Sequence, residues 1–452
     1  MIQRIVVAGG GTGGHLFPGL AVIEELARRA PGLEVTWVGT MRGIEARVVP
    51  QKGLRFEALE VTPLKGRSPV ELVKSVGRLP AAALGAMSLV RRLKPDVVLG
   101  VGGYASGPVL AAAVLLGVPT AVLEQNAYVG LTNRLLARFV GRAYLSFEET
   151  EALFGEKRAR TLGNPVRRAF VETARLALTD PEGFEARARR VLVLGGSQGA
   201  KALDESVPAA LAQAGVTGLG LQIVHQASAA SVDAVKARYA ALGVEATVVP
   251  FLDDMARAYA SAALVVARAG ATTLAEICAV GRASVLVPFP HAADDHQTKN
   301  AASLAKDGAA ILLPQSELTP ERLATEVRAL LHDDARRMAM AAAARGRGHP
   351  DAAAAIVDDL TAWLGGAQIA GNDDGAGGDA EPSASHDEES ADSTAEDADA
   401  REEARDADSA TRTVQTATIP PALDQHAARR RKRSVRSRLP AVVPLGATGT
   451  WE

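Results

Sequence analysis

The sequence has little of what several classes of protein depend on. A single cysteine, Cys278, excludes an intrachain disulfide and fits a reducing compartment. The longest apolar stretch, residues 109–122, is interrupted by Gly117 and Pro119 and is shorter than the ~20 residues that a spanning helix needs. The first residues show no charged segment followed by an apolar one. We therefore expect neither secretion nor a membrane span, and any membrane contact should be peripheral.

An excess of one charge sign is also missing, but only as an average over unlike regions. Lys and Arg total 50 and Asp and Glu total 52, which gives a formal charge of −2. Residues 1–365 hold 40 basic and 35 acidic residues, whereas residues 366–452 hold 10 and 17. The mildly basic core is compatible with a diphosphate ligand and with an anionic bilayer.

The last part of the chain has the composition of a disordered tail. Residues 373–408 combine 15 acidic and two basic residues with Ala, Ser and Gly, so little apolar surface can be buried to offset the entropy of ordering. Residues 429–438 then carry seven positive charges. This basic run is either solvated or neutralised by the acidic block, which we favour, or it contacts anionic lipid or nucleic acid. We expect no nucleic-acid partner.

Short apolar runs alternate with longer Ala-, Leu- and Arg-rich segments of helical period. This pattern is typical of an α/β fold, in which a parallel sheet is covered by helices. Each half of the chain opens with glycines between an apolar strand and a helix, at residues 9–14 and 195–199. The sequence therefore predicts two doubly wound, Rossmann-like domains facing a cleft. The predicted strands are residues 5–8, 34–38, 96–100, 120–123, 191–194, 222–224, 246–249, 263–266 and 284–287.

The boundary between these domains is predicted at Gly163-Asn164-Pro165, since proline and the residue before it resist helix continuation. We expect an N-terminal domain, a C-terminal domain, a terminal helix that packs back on the N-terminal domain, and the disordered tail. Their predicted bounds are 1–163, 164–348, 349–364 and 365–452.

Three glycine-rich loops follow predicted strands, at residues 9–15, 102–108 and 195–200. Glycines allow backbone N–H groups to approach phosphate closely, and a following helix start adds positive potential. Each loop taken alone is better explained as a tight strand-to-helix turn. Three of them on one predicted rim favour a diphosphate ligand.

The first loop matches a dinucleotide-binding pattern through Gly9, Gly11 and Gly14. That pattern also requires a carboxylate at the end of the second strand to bind ribose. Here the second strand ends in Trp37-Val38-Gly39-Thr40. The missing carboxylate disfavours a nicotinamide or flavin cofactor.

His15 follows the first glycine loop, at the predicted mouth of the cleft. A lone histidine is more often structural or solvent-exposed than catalytic. Its ordinary pKa of about 6.5 nevertheless suits a general base near neutral pH, and a nearby helix start would favour its neutral, proton-accepting form. His15 is therefore the candidate base.

Six motifs occur in the order found in the MurG family of peptidoglycan glycosyltransferases, which the sequence resembles over roughly residues 2–364. Six motifs in order are far more specific than one glycine pattern. They are GGTGGHLFP at 10–18, GGYASGP at 102–108, EQN at 124–126, GNPVR at 163–167, GGSQGA at 195–200 and DHQTKNA at 295–301.

The resemblance implies a two-domain GT-B glycosyltransferase whose C-terminal domain binds UDP-GlcNAc and whose N-terminal domain receives a lipid acceptor. It implies donor contacts at Thr12, Gly13, Gly14, Asn126, Arg167, Ser197, Leu252, Ala271, Thr272, Thr273, Leu274, Ala275, Glu276 and Gln297. It also implies an acceptor or pyrophosphate loop formed by Gly102, Gly103, Tyr104 and Ser106.

Physical roles can be attached to four of the implied donor contacts. The carboxylate of Glu276 can accept two hydrogen bonds from ribose hydroxyls. Ser197 suits the diphosphate, and the amides of Asn126 and Gln297 suit sugar hydroxyls. Outside the family pattern, Glu276 and Gln297 would be ordinary helix residues and Asn126 a turn residue. His296 stands before Gln297, where some relatives have a second glutamine.

The reaction that the resemblance implies is transfer of GlcNAc to the C4 hydroxyl of MurNAc in lipid I, with inversion, to form lipid II for peptidoglycan synthesis. A single displacement needs one base, and helix starts with loop amides can stabilise the leaving UDP, so we expect no cofactor and no metal. The core holds no Asp-x-Asp element at a plausible metal site. We interpret the adjacent pairs Asp253-Asp254 and Asp294-Asp295 as solvent-facing helix caps.

The lipid acceptor implies a peripheral protein on the cytoplasmic side of the cell membrane, with an anionic membrane surface and other cell-wall or division proteins as candidate partners. Apolar and basic residues alternate in one segment, which can combine insertion with attraction to anionic lipid. An amphipathic core helix explains the apolar residues equally well. The residues are Leu72, Val73, Val76, Leu79 and Leu84, with Lys65, Arg67, Lys74 and Arg78.

Two other functions remain open from the sequence. Another GT-B enzyme, such as a nucleotide-sugar epimerase or a glycolipid transferase, would consume UDP-GlcNAc without lipid I. A non-catalytic UDP-sugar or lipid-binding regulator would bind nucleotide without turnover and would be insensitive to His15→Ala.

Overall fold

The computed structural model describes residues 2–61, 69–196 and 199–373, with the backbone alone for 69–80 and 367–373. The predicted tail lies outside these residues apart from its first part, which continues the last helix. Ser197 also lies outside them. None of the described helices is both long enough and apolar enough to cross a bilayer.

The first half of the chain forms a seven-stranded sheet in which every strand pair is parallel. Its central strands are Val- and Ile-rich and buried on both faces, as expected for a sheet covered by helices. The strand order is β3-β2-β1-β4-β5-β6-β7. The strands are β1 Arg4–Gly9, β2 Glu34–Gly39, β3 Arg55–Ala58, β4 Val97–Gly102, β5 Thr120–Glu124, β6 Arg142–Leu145 and β7 Ala159–Thr161.

The second half forms a six-stranded parallel sheet of the same design, in the order β10-β9-β8-β11-β12-β13. The strands are β8 Arg190–Leu194, β9 Gln222–Gln226, β10 Thr247–Val249, β11 Ala262–Ala267, β12 Ser284–Leu286 and β13 Ile311–Leu312. The predicted fold class, with two doubly wound parallel sheets, is confirmed. Strand order reverses direction between β1 and β4 and between β8 and β11, and these switch points are where ligands bind in such sheets.

Helices cover both faces of each sheet and form two apolar core clusters per sheet. The helices of the first half are α1 Gly13–Arg29, α2 Glu45–Gln51, α3 Pro69–Leu93, α4 Ser106–Leu115, α5 Leu131–Leu136 and α6 Glu151–Phe154. Those that follow are α7 Arg168–Thr179, α8 Pro181–Ala186, α9 Lys201–Gln213, α10 Val232–Ala241, α11 Met255–Ala260 and α12 Ala271–Val280. The last four are α13 His296–Lys306, α14 Pro320–Leu331, α15 Asp334–Gly346 and α16 Ala352–Asp373.

The last helix, α16, returns to the first sheet. Asp359 accepts hydrogen bonds from Arg142 Nε (3.1 Å), Tyr144 Oη (3.0 Å) and Arg160 Nε (3.2 Å), which come from β6 and from the edge strand β7. Apolar side chains of α16 join the core of that sheet: Ile356, Val357, Leu360 and Leu364. The helix therefore packs against β6 and β7, two strands that the sequence pattern did not predict.

Candidate active site

The glycine loop between β1 and α1 is in backbone contact with the loop after β4. Gly9, Gly10 and Gly11 have φ values of +135°, +138° and +92°, which favour glycine. Gly10 N–H donates to Gly102 O (3.0 Å), and a Cβ on Gly103 would lie 2.3 Å from Gly10 O. The two loops therefore form one surface at the switch point of the first sheet.

Not every amide of the first loop is available to a phosphate. Gly10 N–H is bonded to Gly102 O, and Gly11 N–H donates to a carboxylate oxygen of Glu45 (2.6 Å). The N–H groups that open α1, at Gly13 and Gly14, have no acceptor within the helix. An anion at this loop would thus be bound by the helix start and Thr12 rather than by the glycine turn itself.

Glu45, the first residue of α2, binds the first glycine loop through its carboxylate. The sequence reasoning did not identify it as a site residue. Its carboxylate is almost completely buried and accepts hydrogen bonds from Gly11 N–H, Thr40 N–H (3.0 Å) and Thr40 Oγ1 (3.1 Å). One feature of the sequence could have indicated it: Gly39 and Gly43 have no side chains, which leaves room for the Glu45 side chain next to them.

His15 is half-buried in the first turn of α1, beside both loops. Its Nδ1 lies 3.2 Å from Gly10 O. A carbonyl can only accept, so this bond places the proton on Nδ1 and leaves the lone pair on Nε2. Burial lowers the pKa of His15, with a smaller decrease from His296, while the Gly10 bond and the charge of Glu45 oppose the change. The imidazole is therefore a neutral acceptor at neutral pH.

The predicted acceptor loop has one exposed side chain. Tyr104 is 53% exposed at the tip of the loop, and Gly102 and Gly103 contact the first glycine loop. Ser106 is fully buried, and its Oγ has no hydrogen-bond partner among the described residues. In this conformation Ser106 cannot touch an acceptor, because it packs beneath the loop as the first residue of α4.

The two sheets meet where α1 and α12 begin. Thr272 Oγ1 donates to Gly14 O (3.4 Å), which joins the two helix starts directly. Thr272 and Thr273 are partly exposed there, whereas Leu274 is buried in the core. The first-turn N–H groups of α12 have no acceptor within the helix and carry the positive end of its dipole.

Ala271, Leu274 and Ala275 line a separate pocket, together with Asn164 and Cys278. Of the predicted donor segment, Thr272 therefore contacts the first glycine loop, and Thr273 is partly exposed beside it. The sequence pattern did not separate these two groups, because the distinction depends on which face of α12 packs inward.

Glu276 and Arg167, both predicted to bind the donor, bind each other. Arg167 Nη2 donates to Glu276 Oε1 (2.9 Å), and its guanidinium lies 5.2 Å and 5.1 Å from the ring centroids of Phe17 and Phe170. Arg167 Nε is buried without a partner among the described residues. Burial raises the pKa of Glu276, and the Arg167 charge opposes this. Glu276 is buried in the middle of α12 and its carboxylate is bound to Arg167, so its contact with ribose stays a prediction.

Asn126 is bound to the opposite half of the chain. Asn300 Nδ2 donates to Asn126 Oδ1 (3.2 Å), and Asn300 Oδ1 accepts from Ala127 N–H (2.8 Å). Glu124 accepts from Asn126 N–H (3.1 Å) and is buried, which raises its pKa. Asn300, which the sequence reasoning missed as a site residue, therefore orients the predicted sugar contact.

Gln297, in the first turn of α13, is also held in place. Its Oε1 accepts from Phe289 N–H (3.0 Å), which leaves the Nε2 donors for a ligand. Leu252 packs with the core of the second sheet, so only its backbone is suited to a base contact. Ser197, the predicted diphosphate contact, lies outside the described residues.

Acidic pairs do not gather into a metal site in the described ranges: no three His, Cys, Asp or Glu side chains there are placed to hold an ion. Asp254 caps α11 by accepting from Arg257 N–H (3.0 Å), as predicted. The predicted cap at Asp295 is wrong. Asp295 has a left-handed φ of 54°, and its carboxylate accepts instead from Thr298 Oγ1 (2.6 Å).

Known proteins share this sequence pattern over most of the chain. Residues 5–145 match the glycosyltransferase family 28 N-terminal domain, and residues 190–356 match the C-terminal domain of that family. A Myxococcus xanthus protein is 46% identical over 357 residues, which cover 79% of this chain and 92% of the relative. Its name is UDP-N-acetylglucosamine–N-acetylmuramyl-(pentapeptide) pyrophosphoryl-undecaprenol N-acetylglucosamine transferase. A Syntrophus aciditrophicus protein of the same name is 44% identical over 364 residues, covering 80% and 99%.

Solved structures share the fold. MurG from Acinetobacter baumannii has a TM-score of 0.65 at 35% identity, covering 79% of this chain and 98% of that one. UDP-GlcNAc 2-epimerase from Neisseria meningitidis has a TM-score of 0.55 at 12% identity, covering 79% and 99%. At that identity the second likeness shows the fold alone.

Proposed function

The chain belongs to glycosyltransferase family 28, and from this membership we infer its reaction. It is a UDP-GlcNAc-dependent transferase that adds N-acetylglucosamine to the N-acetylmuramyl-(pentapeptide) unit of lipid I and forms lipid II for peptidoglycan synthesis. The donor is UDP-GlcNAc and the acceptor is lipid I.

We propose that His15 is the general base, because it lies beside both glycine loops with one ring nitrogen bound to Gly10 O. The Nδ1–H bond to Gly10 O leaves the Nε2 lone pair to accept a proton, and a Cβ on Gly102 would lie 3.0 Å from Nε2, so the accepting nitrogen lies beside the loop after β4. Nε2 takes the proton of the MurNAc C4 hydroxyl as its oxygen attacks the anomeric carbon of GlcNAc. The new C–O bond forms as the bond to UDP breaks on the opposite face, so the configuration inverts.

The terminal phosphate of the leaving UDP gains one negative charge as the bond breaks, and so carries two. We propose that the N–H groups at the starts of α12 and α1 stabilise this charge, because both helix starts point into the same space and neither has a side-chain cap. Asn126 and Gln297 would hold the sugar, since Asn300 and Phe289 fix the orientation of their amides.

The membrane assignment is also a proposal: the enzyme binds the cytoplasmic face of the cell membrane through helices α3 to α5. Five large apolar side chains are exposed on this part of the first half: Leu84, Leu115, Leu131, Leu135 and Phe139. Arg134 and Arg138 lie among them and can attract anionic lipid. Six of the residues predicted to contact the membrane lie in the part of α3 for which the structure describes the backbone alone: Leu72, Val73, Lys74, Val76, Arg78 and Leu79. Lys65 and Arg67 lie outside the described residues.

The deciding assay supplies labelled UDP-GlcNAc and a short-chain lipid I analogue and scores a β1,4-linked disaccharide product. We expect product from the wild type and a loss of roughly 100-fold or more in kcat for His15→Ala. His332→Ala, which changes an exposed histidine at the end of α14, is the matched control and should keep full activity. No product from the wild type would refute the reaction, whereas a fully active His15→Ala would refute only the base.

A further inference from the structure

The space that Glu45 occupies is shaped by glycines from three places in the chain. A Cβ on Gly10 would lie 2.4 Å from the Glu45 carboxyl carbon, one on Gly39 would lie 2.5 Å from its Cγ, and one on Gly43 would lie 2.0 Å from Oε2. Any larger residue at these positions would displace the carboxylate. Three close approaches by glycine indicate that the carboxylate position itself matters, because an ordinary surface glutamate needs no such space.

Glu45 is connected to His15 through a single peptide unit, the one between Gly10 and Gly11. Its carboxylate binds Gly11 N–H (2.6 Å), and the preceding residue, Gly10, presents its carbonyl to His15 Nδ1 (3.2 Å). The Gly10–Gly11 peptide is planar, so fixing the N–H of Gly11 also fixes the direction of the Gly10 carbonyl. At φ values of +138° and +92° these two glycines have no side chains that could restrict the turn themselves.

We propose that Glu45 is a positioning residue for the general base: through Gly11 and Gly10 it sets the tautomer and orientation of His15. The role rests on the proposed function, since it requires His15 to be the base. Glu45 does not touch substrate in this role. It orients the peptide that keeps the His15 proton on Nδ1 and the accepting lone pair on Nε2.

The charge of Glu45 acts in the same direction as its hydrogen bonds. The titratable groups that act on His15 are Glu45 from α2, whose charge raises the pKa of His15, and His296 from α13, which lowers it. The Gly10 bond also raises this pKa. Loss of the Glu45 charge and loosening of the Gly10 bond should therefore both move the acid limb of the kcat/KM profile to lower pH.

The first test is Glu45→Gln, which keeps the size of the side chain but replaces one accepting oxygen by a donor. We expect kcat to fall by roughly ten- to a hundred-fold, the acid limb of kcat/KM to move to lower pH, and KM for UDP-GlcNAc to change little. Combined with His15→Ala, Glu45→Gln should cause no further loss, because the group through which it acts is already gone.

A second variant, Gly43→Ala, keeps Glu45 and pushes its carboxylate away, and it decides the question if Glu45→Gln does not fold. It should reproduce the lower kcat and the shifted pH profile. Gly346→Ala, at an exposed helical glycine with no heavy atom within 4 Å of the added Cβ, is the control and should match the wild type.

If Glu45→Gln and Gly43→Ala both keep the wild-type kcat and pH profile, the proposed role of Glu45 is overturned. It is also overturned if Glu45→Gln lowers kcat in the His15→Ala background as much as it does in the wild type. These outcomes leave the reaction and the base intact. A fully active His15→Ala would instead overturn the proposed base, and the role of Glu45 with it.

Discussion

Gly103→Ala tests whether contact between the two N-terminal glycine loops holds the base in place. Gly103 has a φ of +85°, and an added Cβ would lie 2.3 Å from Gly10 O. Real Cβ contacts essentially never fall below 3.0 Å, so the loops must separate by about 0.7 Å, the difference between these distances. Gly10 O accepts the hydrogen bond from His15 Nδ1, so the displacement reaches the base. Misplacement by ~1 Å costs on the order of 100-fold, and we expect kcat to fall by roughly ten- to a hundred-fold.

Gly32→Ala is the matched control for the backbone strain in this experiment. Gly32 has a φ of +92°, close to that of Gly103, but an added Cβ there meets no heavy atom within 4 Å. Both variants therefore carry the ~1–2 kcal/mol cost of a left-handed alanine. Only Gly103→Ala adds the collision with Gly10.

The assay compares kcat and KM of both variants with the lipid I analogue, alongside urea unfolding and calorimetric titration with UDP. We expect similar losses of unfolding free energy from the backbone strain, unchanged UDP affinity, and a kcat defect in Gly103→Ala alone. Equal kcat values in Gly103→Ala and Gly32→Ala would refute the coupling between the loops and the base.

Three further predictions follow from other parts of the molecule. Asp359→Ala should lower the free energy of urea unfolding by ~2–4 kcal/mol, because three donors lose a partly buried acceptor. Asp358→Ala is the control, since the Asp358 carboxylate is 68% exposed, and an equal loss of unfolding free energy in both variants would contradict the prediction. Since burial places the pKa of His15 below its ordinary value of 6.5, kcat/KM should stay level from neutral pH down past 6.5 and fall only below the lowered pKa, where His15 becomes protonated; a fall centred above 6.5 would count against it. Leu135→Asp should weaken co-sedimentation with anionic liposomes, whereas Leu178→Asp, an equally exposed leucine (both 65%) on α7, should not; identical binding by both variants would remove the proposed membrane face.

The sequence predicted those strands that can be recognised from their own residues, without knowledge of their neighbours in the sheet. All nine predicted strands are present, because buried parallel strands read as short continuous Val- and Ile-rich runs. The missed strands β3, β6, β7 and β13 are two to four residues long. Their pairing depends on a neighbouring strand already in place, and an arginine in each of β3, β6 and β7 interrupts the apolar run that marks the predicted strands.

The glycine loops were likewise recognisable from the sequence, since positive φ and close backbone approach leave glycine as the residue that fits. The residues themselves therefore determined the two sheets, the positions of the loops and His15 as a candidate beside them, whereas Asn126 was implied only by the family resemblance.

What each site residue binds was decided by the tertiary structure. Glu45 reaches a peptide 34 residues away, Arg167 pairs with Glu276 across 109 residues, and Asn300 meets Asn126 across 174. No local pattern encodes such partners, because they come together only when parallel strands bring their carboxyl ends to one edge. The sequence by itself determined which residues could do the chemistry, and the tertiary structure decided which of them are exposed, which are held by a partner, and on which nitrogen His15 carries its proton.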